Sequence, residues 1–332
     1  MKNKKVAALL ISLLSLVFLL GGCGGKPAPA EEQSKAEKPK EIHIAYQNSS
    51  IGILLAKGKG FYEEEFAKDG IEIKYDMYLS GPPMIEAFAG NRADFAHTGD
   101  MPPVSARSSG IDVKVIGRAG YTPGGNALLV SPDSPYKAVS DLKGKKIAVQ
   151  VGSSAHHFLI LLLQQNGLSV SDVNVVNLPA SDHQAALETK NVDAVVTWEP
   201  WSSVLENAKA GKILADSSTG VKRYIGVLLV RNEFAQKYPD YAARLLKVND
   251  RAAEFIKTHQ DEALEVISRE SKLPVSAISR LVRTSNWDTD IAAEDIAVLE
   301  QVKTFLKDTK VLKKDFDINE LFDDRYLKSV RK

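Results

Sequence analysis

Cysteine is almost missing from this chain: Cys23 is the only one in 332 residues. A disulfide within the chain is therefore excluded, and the fold must hold by its core alone. An excess of either charge is missing too. The 43 lysines and arginines meet 42 aspartates and glutamates, for a formal net charge of +1. That balance gives no reason to expect nucleic-acid binding, which calls for a basic patch or a strongly basic domain. The six histidines show no metal-ligand spacing, and the adjacent His156 and His157 do not face each other on a helix. A Walker A sequence, a Gly-x-Ser-x-Gly elbow and a His-Glu-x-x-His pair are all absent, so the machinery of the common phosphate-binding and hydrolytic enzymes is not in evidence. Beyond Val6–Leu20 no apolar run is long enough to span a bilayer.

What is present starts at the N-terminus. Lys2, Lys4 and Lys5 precede a stretch, Val6 to Leu20, that is apolar except for Ser12 and Ser15. At about 15 residues it falls short of the roughly 20 a spanning helix needs. A basic start, a short apolar core and small residues describe a secretory signal peptide, here residues 1–22. The ending Leu20-Gly21-Gly22-Cys23 resembles the lipobox of bacterial lipoproteins. That resemblance implies cleavage before Cys23, a diacylglycerol on its sulfur and attachment to the extracytoplasmic face of the cell membrane. Two or more acyl chains hold stably where one binds reversibly. Residues 23–40, rich in Lys, Pro, Glu and Ala, read as a lipidated flexible tether. Removing residues 1–22 takes away three lysines and no acids, so the remainder carries a formal charge of −2.

About 290 residues then remain, which suits two lobes better than one. They alternate short apolar strands with helical stretches. Strands are predicted over 42–47, 71–79, 93–98, 113–117, 127–130, 146–151, 173–178, 193–198 and 224–230. Helices are predicted over 153–166 and 181–190, the second with a capping box between Ser181 and Gln184. After Asn232 the pattern is helical to about Lys310. The alternation argues for α/β architecture with largely parallel sheets, and ligands of such sheets sit beyond the strands' carboxyl ends. Five segments there have the form strand, then Gly, Ser, Thr or Pro, then helix. They begin at Tyr46, Leu79, His97, Val151 and Trp198. Free backbone N–H groups and a positive helix end make such places anion sites without a lysine or arginine.

Several of these segments carry a more specific resemblance. Gly81-Pro82-Pro83-Met84-Ile85-Glu86-Ala87, Thr98-Gly99-Asp100-Met101-Pro102-Pro103 and Gly152-Ser153-Ser154-Ala155-His156 are similar to the aliphatic-sulfonate-binding proteins of ABC importers. So are Asp141-Leu142-Lys143-Gly144-Lys145 and Asn191-Val192-Asp193-Ala194-Val195 leading to Trp198-Glu199-Pro200-Trp201. Asn48 and Trp201 depart from that pattern, standing where lysine and tyrosine are common. The resemblance spans roughly residues 41–310. It implies a two-lobed periplasmic-binding-protein-like (type II) fold hinged between the lobes. Lobe 1 would comprise 41–128 plus 226–332, and lobe 2 would comprise 129–225.

The resemblance also implies a non-enzymatic, monomeric receptor that needs no cofactor or metal. It would bind a small organic anion, an alkanesulfonate, and deliver it to a permease with its ATPase. The amides of Gly81, Gly99, Ser154 and Ala155 are expected on the sulfonate. Gln47 and the hydroxyls of Thr98, Ser153 and Ser154 are expected to add donors, with Pro82 beside them and His156 as a neutral donor. Trp198 and Trp201 are expected to wall the organic tail, and Glu199 to meet an amine at its far end. Asp100 is expected to cap the next helix or to line the pocket, and Arg118 is a further possible anion partner. Taurine, nitrate, bicarbonate and a thiamine-precursor pyrimidine are the alternative ligands. A sensor lipoprotein or an enzyme resembling the pyrimidine synthase are the alternative classes, though that synthase's cysteine-rich motif is absent here.

Overall fold

A computed structural model describes residues 37–331; the signal segment, Cys23 and tether residues up to 36 lie outside them. Residues Lys38–Lys332 form one compact unit. The chain opens with β1 (Glu41–Tyr46), α1 (Ile51–Gly58), α2 (Phe61–Phe66), β2 (Glu72–Met77), α3 (Gly81–Ala89), β3 (Phe95–Gly99), α4 (Met101–Ser108) and β4 (Val113–Tyr121). It continues with β5 (Asn126–Val130), β6 (Lys146–Val149), α5 (Ser154–Gln165), β7 (Asn174–Asn177), α6 (His183–Glu188), β8 (Ala194–Trp198), α7 (Trp201–Asn207) and β9 (Lys212–Asp216). After β10 (Ile225–Arg231) come α8 (Asn232–Lys237), α9 (Pro239–Thr258), α10 (Gln260–Ser271), α11 (Val275–Thr284), α12 (Ala293–Asp308) and α13 (Arg325–Val330). Among the described residues, no helix is long and apolar enough to cross a membrane.

The strands form two five-stranded sheets, ordered β2-β1-β3-β10-β4 and β7-β6-β8-β5-β9. Both are covered on both faces, and the period-2 alternation of the strands sorts their side chains between the two layers. In β1, Ile42, Ile44 and Tyr46 enter one core cluster while Ala45 enters another. In β5, Leu128 and Val130 face the core that holds Phe158 and Leu159, and Ala127 and Leu129 face the opposite layer.

The sheets are mixed rather than largely parallel. β10 runs antiparallel to β3 and β4, and β5 runs antiparallel to β8 and β9. These two strands enter their sheets from the other lobe, so they run away from the seam toward which the parallel strands point. The sheet changes at residues 122–125 and again at 217–224. The expected division after residue 128 falls inside β5, which lies wholly in the second sheet. The strand β9 was not anticipated, because all five of its residues are half-buried and show no clear alternation. Nor does the expected cap at Ser181 form. Ser181 donates to Asp182, Gln184 donates to Glu188, and α6 begins only after a 3-10 turn.

Arg118 does not face an anion site. Its guanidinium is buried, with Nη1 on Asp295 Oδ2 at 3.0 Å, Nη2 on Asn286 Oδ1 at 3.0 Å and Nε on the Asp288 carbonyl at 3.0 Å. Asp295 also accepts from Arg223 Nε at 3.0 Å and from the Ala292 amide at 2.9 Å. This network ties α12 to β4 and to the second crossing segment. Removing one partner of a buried pair leaves the other charge uncompensated. Asp295→Ala is therefore expected to destabilise the protein by about 3–5 kcal/mol, read as a lower urea midpoint at unchanged slope; a wild-type midpoint would contradict the role given to this network.

Candidate functional site

The five strand–helix junctions are not equivalent as donors. α3 and α4 both have prolines in their first turns, Pro82–Pro83 and Pro102–Pro103, and proline has no N–H to offer. The turn before α1 uses the Ser50 and Ile51 amides internally, on the carbonyls of Gln47 and Ser49. α7 is only seven residues long. α5 is different: twelve residues with no proline, capped by Ser153. Ser153 Oγ accepts from the His156 amide at 3.4 Å and donates to the Gln150 carbonyl at 2.7 Å. Its hydroxyl is thus committed to the loop and does not serve as a ligand donor. The amides of Ser154 and Ala155 stand outside the helix's own ladder, as the first residues of any helix do.

The start of α5 meets the first lobe directly. A Cβ on Gly99 would lie 1.9 Å from Ser154 Oγ, and one on Gly152 would lie 3.3 Å from Pro82 Cγ. Gly81 is needed for a similar reason, since a Cβ there would lie 2.4 Å from Pro102 Cγ. Further along α5, Ile160 joins a core cluster of lobe 1, and the His157 ring lies 5.2 Å from that of Phe305 on α12. On the far side, α11 packs on α7. There Arg280 Nε donates to Glu199 Oε1 at 2.6 Å, and Nη1 donates to Glu206 Oε2 at 2.7 Å.

Lys222, which the sequence reading did not single out, sits at the centre of the seam. Its ammonium donates to Asp100 Oδ1 at 3.0 Å and to the Ser154 carbonyl at 2.9 Å, and Asn126 Oδ1 is 3.5 Å away. Asp100, Asn126 and Ser154 come from three separate parts of the chain, so no local pattern marks the lysine. Asp100 makes no side-chain cap on α4; it is the partner of Lys222. Arg280 was missed for the same reason, its partners lying 74 and 81 residues away.

The remaining expected residues fall as follows. Gln47 lies at the carboxyl end of β1; its Oε1 is buried without a partner, as are Asn48 Oδ1 and Ser49 Oγ beside it. Asn126 Nδ2 is likewise unpartnered on the second lobe. Buried polar atoms are normally paired, so each of these is an unmet hydrogen-bonding group: Gln47 Oε1 and Asn48 Oδ1 as acceptors, Asn126 Nδ2 as a donor. Thr98 spends its hydroxyl on the Gly99 carbonyl at 3.0 Å. Trp198 is buried in the core of lobe 2, and Trp201 packs partly against the same core. Glu199 has Oε1 on Arg280 and Oε2 buried without a partner. His156 is half-buried, its ring edge-on to Phe305 at 6.1 Å. Among the described residues there is no group of three or more His, Cys, Asp or Glu placed to hold a metal.

The histidines near the seam are neutral. Burial lowers the pKa of His97 to about 4 and lowers that of His156. Burial, and then the positive charge of Lys222, lower His157 to about 2. Burial also lowers the Lys222 ammonium, against the pull of Asp100.

Residues 47–263 match the NMT1/THI5-like family. The chain belongs to that family. It is 36% identical over 323 residues to a putative aliphatic sulfonates-binding protein of Bacillus subtilis (strain 168), covering 97% of this chain and 96% of that protein. The alkanesulfonate-binding protein SsuA from Xanthomonas axonopodis pv. citri, solved bound to MOPS, superposes with a TM-score of 0.80 at 26% identity over 87% of this chain and 99% of its own. The periplasmic aliphatic sulphonate binding protein SsuA from Escherichia coli gives a TM-score of 0.75 at 29% identity, covering 85% and 97%. The fold is therefore the two-lobed α/β fold of periplasmic binding proteins. A desulfurization enzyme, DszB, shares it at a TM-score of 0.68 and 17% identity, a likeness of fold alone.

The neutral state of His157 has a consequence for acid stability. A histidine whose folded pKa lies near 2 binds a proton in the unfolded chain, but not in the folded one, from about pH 6.5 downward. Stability is therefore present above about pH 6.5 and is lost as pH falls toward 2. His157→Leu is expected to flatten the fall in unfolding free energy between pH 6 and pH 4 by about 1.4 kcal/mol per pH unit. Urea melts at several pH values measure this; an unchanged slope would mean that His157 is not a buried neutral ring.

Proposed function

We propose that this chain is the lipid-anchored, extracytoplasmic solute-binding protein of an ABC importer, monomeric and non-enzymatic, and that its ligand is an aliphatic sulfonate. The observation that carries this reading is the free start of α5 held against Gly99, with Asn126, whose Nδ2 is unpartnered, near the same Lys222 that holds the Ser154 carbonyl. A sulfonate is ionised at any physiological pH and must be bound as an anion. An unpaired buried charge is costly, and each hydrogen bond to a charged group contributes roughly 1.5–3 kcal/mol. The Ser154 and Ala155 amides, the Gln47 side-chain NH2, the Ser154 hydroxyl and the Asn126 side-chain NH2 are enough donors to offset that cost. They leave room for a Kd in the micromolar range, near −8 kcal/mol.

Two lobes that contribute different donors are stabilised together by the ligand and not singly, which is what a closing receptor requires. The relatives named for sulfonate binding support the ligand class, and the MOPS bound by the Xanthomonas protein is itself a sulfonate. Non-enzymatic action is supported by the absence of a nucleophile motif and by relatives that are named as binding proteins.

Isothermal titration of a soluble form lacking residues 1–23 with ethanesulfonate is expected to give micromolar or tighter binding. No heat with any alkanesulfonate, alongside clear heat with nitrate or a pyrimidine, would replace the ligand assignment. For the anchor, cells fed radiolabelled palmitate are expected to label the wild-type protein and not Cys23→Ser. Equal labelling of both would place the lipid elsewhere, and labelling of neither would remove it.

A further inference from the structure

The Lys222–Asp100 pair has no solvent access on either side chain, with Nζ 2.8 Å from Oδ2 and 3.0 Å from Oδ1. It lies at the root of the α5 helix start. Lys222 holds the Ser154 carbonyl, and Asp100 directly follows Gly99, the residue pressed against Ser154. The other ionised groups at the seam are also paired: Glu199, 1% exposed, faces Arg280, which also reaches the half-exposed Glu206. The nearby His157 is neutral. Lys222 and Arg280 therefore each face a carboxylate of their own, and neither leaves a whole positive charge over for a ligand; Arg118 and Arg223 share Asp295 on the α12 side. What remains for an anion beside the Lys222–Asp100 pair is the start of α5 with neutral amides and hydroxyls, and, at the paired Arg280, its unpartnered Nη2; a helix N-terminus is worth only about half a positive charge. That suits one negative charge and not two. A buried lysine without its aspartate would leave a full extra charge beneath the same donors, in surroundings where charges interact far more strongly than in water.

On the sulfonate reading of this same site, we propose that Asp100 and Lys222 set its charge selectivity: Asp100 cancels the buried lysine, so that the cleft takes a monoanion and rejects a dianion with the same head group. Methanesulfonate and sulfate are the matching probes, since both present tetrahedral sulfur with oxygens and they differ by one charge. The role is positional and electrostatic, so the informative readout is the ratio of the two affinities. A merely structural pair would weaken both ligands together and leave that ratio unmoved.

Titration calorimetry on the soluble form is expected to show wild-type protein binding sulfate at least about 100-fold more weakly than methanesulfonate. Asp100→Asn is expected to narrow that ratio by about tenfold or more. Adding Lys222→Met to Asp100→Asn removes the surplus charge and is expected to return the ratio toward wild type. A ratio unchanged in Asp100→Asn, or one that stays narrow in the double variant, overturns the charge assignment and leaves the sulfonate reading standing. Wild-type protein that binds no alkanesulfonate at all overturns the sulfonate reading. If Asp100→Asn fails to fold, the wild-type ratio decides by itself: comparable binding of sulfate and methanesulfonate overturns the proposal.

Discussion

The chain crosses twice between its two sheets, and each crossing strand must run away from the seam once it has entered the new sheet. β5 and β10 are antiparallel for that reason, while β1, β3, β6 and β8 all end at the seam. Strand ends are followed by helix starts, so the loops bearing Gln47, Gly99, Ser153 and Glu199 converge there without any of them being neighbours in sequence. The small residues follow from the same constraint. Gly99 and Gly152 stand where a side chain would hold the lobes apart, and Gly81 stands where one would push α3 away from α4.

Electrostatics at this seam is a matter of local cancellation. Lys222 with Asp100 and Arg280 with Glu199 are both inter-element pairs spanning parts of the chain that only the fold unites. Pairs of this kind are weak evidence for stability, because desolvation consumes most of the attraction. Their better-supported role is to fix which surfaces meet. Here each joins elements of both lobes or of the segment between them, and the histidines beside them stay uncharged through burial. Unpartnered amides are left beside these pairs, together with one free atom each on the paired Glu199 and Arg280. That is the environment the proposed anion would enter.

Much of this was legible in the chain itself. Alternation in residues 42–46 and 127–130 marked strands, and the Gly-Ser-Ser segment at 152–154 marked a capped helix start, because those signals are local. Pairings between distant residues carry no local signal. Arg118 looked available at a strand end and proved to be the buried partner of Asp295, 177 residues on. Asp100 looked like a helix cap and proved to be the partner of Lys222, 122 residues on. Serine hydroxyls were ambiguous in the same way. Ser153 has the right chemistry for a ligand, but its loop uses both its donor and its acceptor. The expected division at residue 128 missed the crossing at 122–125 because β5 reads as an ordinary apolar strand, and nothing in its composition says which sheet it joins.

A crystal structure grown with ethanesulfonate tests the central claim most directly. The account predicts the head group between the lobes, its oxygens within about 3 Å of the Ser154 and Ala155 nitrogens, with Lys222 still on Asp100. A head group bound directly by a freed Lys222 or Arg280, or lying outside the seam with those amides turned away from it, would contradict the account.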